Sequence, residues 1–145
     1  MNNTEYQEFI KEYLPKPQIA TNSIVAFIGG GLMGLIGELL LEWYQIIFNL
    51  PRKESGVLVI ITLIVIASFL TGIGIFDVLV TKLKSALLIP ITGFSHAITS
   101  AALEYKQEGL ILGIGSNIFK LAGSVILYGT VAVYIFGLIR LLLGG

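Results

Sequence analysis

The sequence predicts an all-α protein, a polytopic transmembrane helical bundle with about four membrane segments, some broken or re-entrant, plus a short N-terminal amphipathic helix. Of its 145 residues, 55% are hydrophobic and only 12% are charged, whereas soluble domains carry about 25% charged residues. Several apolar runs approach the roughly 20 residues that a helix needs to cross the hydrocarbon. A chain this short has a large surface for its volume. It has too few charged residues to cover that surface, so much of the surface must face lipid.

Charge and cysteine content exclude several classes of function. Lys and Arg total nine, as do Asp and Glu, so no net field attracts nucleic acid. The absence of cysteine excludes disulfides, thiolate catalysis and cysteine-ligated metals. The single histidine is a poor metal site, and no nucleophile elbow or phosphate loop indicates an enzyme. We therefore expect no catalytic residues, metal, cofactor or nucleic-acid partner.

Residues 1–22 predict an N-terminal amphipathic tail rather than a signal peptide, because acidic residues outnumber basic ones before the apolar sequence begins. Pro15 and Pro17 end the predicted helix. Two interpretations stay open: a helix lying at the lipid headgroups, or a docking site for a soluble partner. The apolar residues on one side of the helix are Tyr6, Phe9, Ile10 and Tyr13.

Two ordinary transmembrane helices are predicted in a single membrane domain of residues 1–145. The first covers residues 23–49 and ends before a charged connector. The second covers residues 56–77 and has no charge until Asp77 closes it. These two spans account for most of the lipid-facing surface.

The C-terminal half is less regular. Residues 87–104 contain Pro90 and Gly93, so they predict either a polar-faced span or a re-entrant segment. As one helix, residues 109–143 would be about 50 Å long, whereas the hydrocarbon is about 30 Å thick. We therefore expect this segment to be long or broken, with a break near residues 113–117.

Glycines in the first span resemble a dinucleotide-binding motif but are better explained by helix packing. Gly29, Gly31 and Gly34 fit G-x-G-x-x-G, but no second strand with its acidic residue follows. Gly30 and Gly34 form a G-x-x-x-G pair, which lets another helix approach closely.

Three acidic residues are candidates for intramembrane pairing: Glu38, Asp77 and Glu104. Glu38 is the deepest within a predicted span. An ionised side chain at the bilayer centre costs about 2.5–3.5 kcal/mol on insertion scales. Glu38 should therefore pair, be protonated or line water.

Two polar lines run along the C-terminal segments. The first has helical spacing and includes Thr92, Ser95, His96, Thr99 and Ser100. Such a face either bonds neighbouring helices or borders a water-filled path. The second includes Ser116, Lys120, Ser124 and Tyr128, with Asn117 beside it. Lys120 either snorkels to an interface or attracts an anion into a site.

Four stretches carry a resemblance to a known family. They are YLPKP at residues 13–17, LTGIGIFD at 70–77, PITGF at 90–94, and the block at 100–140. Together they resemble the SpoVAC/SpoVAEb sporulation membrane proteins of endospore-forming bacteria. The family pattern often has Asn at the position of His96, so the resemblance carries over no role for the histidine.

The resemblance implies an inner spore (forespore) membrane location and a complex with SpoVAEb-like and SpoVAD-like subunits. It implies transport of dipicolinic acid with Ca²⁺ during sporulation and germination, and a channel-like response to membrane tension. On this basis both polar lines would border the path, with Lys120 drawing the anion. The alternatives are a structural membrane anchor or assembly subunit for a partner complex, and a tension-responsive channel of low selectivity. Since 145 residues are few to enclose a pore, we expect a hetero- or homo-oligomer.

Overall fold

The computed structural model describes residues 18–143, which consist of helices and short connections without a strand. The all-α prediction is therefore confirmed for these residues. The predicted amphipathic helix falls within residues 1–17, which lie outside the described residues. The α-helices are α1 (Ile19–Phe48), α2 (Arg52–Gly72), α3 (Ile75–Leu83), α4 (Ser85–Leu88), α5 (Ile91–Glu104) and α6 (Ser116–Leu142). A 3₁₀ turn (Tyr105–Glu108) and a π-helical segment (Leu110–Gly115) connect α5 to α6.

Three helical stretches among the described residues are long and apolar enough to cross a membrane: Ile19–Phe48, Arg52–Gly72 and Leu110–Leu142. The fourth predicted segment, residues 87–104, is divided at Pro90 between α4 and α5. α5 has 14 residues and is therefore about 21 Å long, shorter than the hydrocarbon thickness of about 30 Å. This length favours the re-entrant interpretation of the segment.

The second span ends earlier than the hydropathy pattern predicts. α2 ends at Gly72, and Gly74 adopts a left-handed conformation with φ of 78°. Glycine adopts this conformation without a steric penalty, so the chain turns there although the apolar sequence continues. Phe76 and Asp77, predicted at the end of the span, lie instead in the first turn of α3.

At residues 113–117, where a break is predicted, the helix continues but changes from π-helical to α-helical geometry. The π-helical segment passes directly into α6, since Gly115 and Ser116 both have right-handed helical backbone angles. The Asn117 side-chain amide donates to the Gly113 carbonyl at 2.9 Å across the junction. Gly113 serves close packing here, because a Cβ would lie 2.3 Å from the Tyr105 carbonyl oxygen.

The core lies where α1, α2, α3 and α4 meet. Its buried centre is Ala67, Phe76 and Leu87, and partly buried side chains such as Met33 and Leu83 pack around it. α5 packs along α2, and α1 packs against both α2 and α4. The first five helices thus form one bundle, and α6 is attached to it through α5 and the π-helical segment.

α1 meets α4 through a glycine other than the predicted pair. Gly29 is buried, and a Cβ there would lie 2.8 Å from the Ala86 Cβ. Gly30 and Gly34 are exposed, and a Cβ at either would meet nothing within 4 Å. Within the described chain Gly29 therefore carries the close contact, and a packing role for Gly30 and Gly34 stays a prediction that concerns other chains.

Candidate functional site

Side chains of the first polar line bond α5 to α2 through an ordered series of hydroxyl groups. Ser95 Oγ donates to the Ile64 carbonyl at 2.9 Å, and Thr99 Oγ1 donates to Ser68 Oγ at 3.1 Å. Ser68 Oγ and Ser95 Oγ lie 2.8 Å apart. Each hydroxyl has one hydrogen, and that of Ser95 is already given to Ile64. The Ser68 hydroxyl therefore donates to Ser95, which fixes the direction of the whole series.

His96 joins three helices one turn further along the interface. Its Nδ1 lies 3.0 Å from Thr71 Oγ1 on α2, and its Nε2 lies 3.5 Å from Asp77 Oδ1 on α3. The imidazole ring stacks on Phe76 with centroids 4.7 Å apart. Ser100 Oγ is 3.5 Å from the same Nδ1, a long and weak contact. His96 is thus a mostly buried polar junction between α2, α3 and α5.

Thr92 and Gly93 hold the start of α5 against α4. The Thr92 hydroxyl donates to the Leu87 carbonyl at 2.9 Å. A Cβ at Gly93 would lie 2.0 Å from the Leu88 carbonyl oxygen, so only glycine fits at this position. Pro90 precedes α5 in an extended conformation, as expected of a residue that begins a helix.

The first polar line is thus occupied by bonds within the bundle. Ser95, His96 and Thr99 face α2, while Thr92 faces α4. Of the two interpretations of this line, the geometry matches helix–helix hydrogen bonding. Ser68 and Thr71 on α2 are the partners of these side chains, and the sequence did not identify them. Their spacing of three residues within an apolar run was the available signal, since both lie on one face of α2.

The second polar line lies apart from the first and faces outward. Ser116, Lys120, Ser124 and Tyr128 are exposed, and Asn117 is half-buried. The Ser124 hydroxyl donates to the Leu121 carbonyl of its own helix at 2.7 Å. The structure therefore does not bring the two polar lines together into one path within a single chain.

A groove of about 670 Å³ separates the start of α5 from α6. Ser124 borders it on α6, and Pro90 and Phe94 border it on the other side. Most of the remaining lining is aliphatic, including Leu88, Leu121 and Val125. In this groove a residue of the second polar line, Ser124, borders a cavity.

The acidic candidates have different surroundings. Glu38 accepts a hydrogen bond from Arg52 at 2.7 Å, which links α1 to the first residue of α2. Asp77 faces His96 as described. Glu104 is exposed at the end of α5, next to the 3₁₀ turn. Pairing is therefore the geometry found for Glu38, one of the alternatives that its sequence position allowed.

Comparison with known proteins gives this helical arrangement a family. A family model described as SpoVAC/SpoVAEB sporulation membrane protein matches residues 22–139. The chain is also 45% identical to stage V sporulation protein AC of Bacillus subtilis (strain 168), over 93% of this chain and 90% of that protein. No solved structure matches the chain. The matched residues include α2 to α5 and most of α1 and α6, so the chain belongs to the SpoVAC/SpoVAEB family of sporulation membrane proteins.

Proposed function

We propose that the chain is a non-enzymatic membrane subunit of a conduit that moves dipicolinic acid, with Ca²⁺ as counter-ion, across the inner spore membrane. The proposal includes uptake during sporulation and release during germination, with SpoVAEb-like and SpoVAD-like subunits as partners. Membership of the SpoVAC/SpoVAEB family and the name of the Bacillus subtilis relative support a role at a membrane in sporulation. The solute, the membrane and the partners are the proposed part.

The observation that carries the proposal is the outward-facing polar line of α6. Ser116, Ser124 and Tyr128 supply hydroxyl groups on a membrane-length helix, and Lys120 supplies a positive charge. A dicarboxylate needs hydrogen-bond donors and a cation to offset the loss of its hydration. The hydroxyl groups of α5 are engaged with α2, so the path is proposed to lie between α6 and another chain.

A structural anchor is the second candidate, and the α5 interface favours it. The hydroxyl series from Thr99 to the Ile64 carbonyl joins α5 to α2 by hydrogen bonds within the bundle. A rigid bundle with one projecting helix suits a subunit that holds partners in place. The two functions differ in whether the α6 side chains contact the solute.

The test is dipicolinate flux through liposomes that contain the chain alone or together with SpoVAEb-like and SpoVAD-like subunits. Lys120→Met is compared with Arg140→Met, which removes a cation from the same helix outside the polar line. A conduit predicts at least about a tenfold loss of flux for Lys120→Met, if its charge contributes about 1.4 kcal/mol to anion entry. Arg140→Met should retain the parental flux.

Dipicolinate content in sporulating cells provides the second measurement. Lys120→Met spores should contain less dipicolinic acid while the subunit assembles at the parental level. Normal content and normal release kinetics in these spores would exclude Lys120 from the path. Flux that is absent from every liposome, combined with loss of partner recruitment on removing the chain, would favour the anchor.

A further inference from the structure

His96 has hydrogen-bond partners that together determine where its protons are. Thr71 Oγ1 lies 2.6 Å from the Ala67 carbonyl of its own helix, an arrangement in which the hydroxyl donates. A hydroxyl has a single hydrogen, so Thr71 can offer His96 Nδ1 only a lone pair. At 3.0 Å from Thr71 Oγ1, Nδ1 must then carry a hydrogen of its own and donate it.

The second ring nitrogen faces a carboxylate. His96 Nε2 lies 3.5 Å from Asp77 Oδ1, a distance at which a bare nitrogen lone pair would repel the carboxylate. The contact is attractive when Nε2 also carries a hydrogen. With a hydrogen on both nitrogens, the ring would donate to Thr71 and attract Asp77 at the same time.

The surroundings of the ring agree with a charged form. One face of the ring stacks on Phe76, which is 2% exposed. The face of an aromatic ring attracts a cation, so this contact suits a charged imidazole. The side chain of His96 is 15% exposed, whereas that of Asp77 is 67% exposed. Water can therefore reach the carboxylate side of the pair and exchange a proton there.

We propose that His96 is a proton-operated latch that ties the start of α3 to the α2–α5 pair. With the ring charged, His96 bonds Thr71 on α2 and attracts Asp77 on α3 at the same time. Loss of a proton weakens the latch by either route. If Nε2 loses it, the lone pair repels Asp77. If Nδ1 loses it, Thr71 must rotate its hydroxyl away from Ala67, and the ring meets Asp77 without a full charge.

The charged groups around the ring are few. Within residues 18–143, Asp77 is the only acidic residue with a carboxylate oxygen within 4.0 Å of a ring nitrogen. From α2 the ring faces the Thr71 hydroxyl, and from α5 itself it faces the Ser100 hydroxyl. Release of Asp77 is therefore the step that ring deprotonation controls. It frees the start of a helix whose far end contacts Gly29 of α1 through Leu83.

The first experiment determines the protonation state directly. The chain has one histidine, so ¹⁵N-imidazole labelling of the full chain without a histidine tag reports on His96 alone. Solid-state ¹⁵N spectra in lipid bilayers are recorded at about pH 5 and about pH 8, and they should show two protonated ring nitrogens at the lower pH and one at the higher pH. A ring that stays neutral at the lower pH would overturn the proposal.

The second experiment measures the position of α3. The chain has no cysteine, so spin labels at Val78→Cys on α3 and Leu103→Cys on α5 report a single distance. Both sites are exposed. Between about pH 5 and pH 8 that distance should lengthen or broaden by about 1–2 Å or more, the scale of helix shifts in switching proteins. An unchanged distribution across a change in ring charge would refute the latch.

Two variants separate the latch from general packing. Asp77→Asn keeps the ring and its proton but removes the attracted charge, so the α3 distance should no longer depend on pH. His96→Gln retains an amide donor and cannot become charged, so it should also abolish the dependence. A pH dependence that persists in either folded variant would contradict the proposal. Asp77 is mostly exposed, so its substitution tests the latch even if His96→Gln fails to fold.

Discussion

Ser68 is both an acceptor and a donor in the hydroxyl series between α2 and α5. It accepts from Thr99 and donates to Ser95, so its removal leaves one hydroxyl without an acceptor and another without a donor. Hydrogen bonds between membrane helices contribute about 0.6 kcal/mol on average and up to about 1.7 kcal/mol. The role of Ser68 is therefore measurable by substitution of a single side chain.

Ser68→Ala should lower the free energy of unfolding by about 1–2 kcal/mol, because two interhelical bonds are lost. The measurement is reversible unfolding in mixed detergent micelles, followed by circular dichroism. Ser124→Ala is the control, since the Ser124 hydroxyl bonds only a carbonyl of its own helix among the described residues. Equal effects of the two substitutions would show that the α2–α5 series contributes nothing specific.

Ser55→Ala should act in the opposite direction. The Ser55 side chain is 0% exposed, and its Oγ is the buried side-chain oxygen or nitrogen without a hydrogen-bond partner in residues 18–143. An unsatisfied buried polar group costs about 1–3 kcal/mol, and alanine is also the better helix former. The same unfolding assay should therefore show a gain in stability, whereas a loss of more than about 1 kcal/mol would indicate an unseen partner for the hydroxyl.

At the scale of the element, glycines that look equivalent in the sequence have different neighbours. Gly93 sits over the Leu88 carbonyl with no room for a Cβ, whereas Gly123 on α6 has open space around it. Gly93→Ala should reduce the yield of folded protein or lower its stability by several kcal/mol, because backbone must move. Gly123→Ala should raise stability by up to about 1 kcal/mol through helix propensity. Comparable behaviour of the two variants in the unfolding assay would contradict the close contact at Gly93.

Gly29 and Gly30 provide a second matched pair. Gly29→Val should push α1 away from Ala86 on α4, because the added side chain would overlap it. Gly30→Val should leave the isolated chain stable, because nothing lies within 4 Å of the added Cβ. If Gly30→Val instead reduces association with partner subunits in a pull-down, the G-x-x-x-G pair acts between chains. Loss of stability in the isolated Gly30→Val chain would contradict the geometry.

Hydropathy was sufficient to predict helices and their approximate positions, but it could not determine where α2 turns. The apolar run continues through Ile73, Ile75 and Phe76. Hydropathy measures how readily side chains enter lipid, and it does not distinguish a continuous helix from a turn between two helices. The turn depends on the left-handed conformation of Gly74. Likewise, Gly29 and Gly30 are adjacent and chemically identical, so only the position of α4 selects one of them.

The polar line on α5 was predictable because its spacing is helical, but its neighbour was not. Periodicity shows that Ser95 and Thr99 share a face, yet it cannot tell a wet path from a second helix. That distinction needs the register of α2, which brings Ser68 opposite both residues. Sequence reasoning thus identified the residues and left their function open.

For the whole molecule, the dominant feature is the separation of a packed bundle from a projecting helix. Residues 123–143 are all exposed, so no residue of this stretch is buried against the described chain. Lys120 and Arg140 flank residues 121–139, a stretch about 28 Å long as a helix. This length is close to the hydrocarbon thickness of about 30 Å, so the helix is compatible with the interfacial interpretation of Lys120 as well as with its proposed role in the path.

Cysteine scanning of α6 tests this placement, since the chain has no native cysteine. In the assembled complex, Ser124→Cys and Tyr128→Cys should react with a water-soluble maleimide if the second polar line borders a path. Ile126→Cys and Val133→Cys serve as controls on the apolar surface. Uniform protection of all four positions would place the line against lipid or protein instead.

The exposure of α6 has a consequence for how the amount of this protein is controlled. A helix with few contacts in its own chain gains stability from whatever binds it, by an amount that rises with the logarithm of that partner's concentration. A chain made in excess of its partners would turn polar side chains of α6, such as Lys120 and Ser124, toward lipid, where polar and charged groups are costly. Balanced synthesis of the subunits would then matter as much as the stability of the bundle itself.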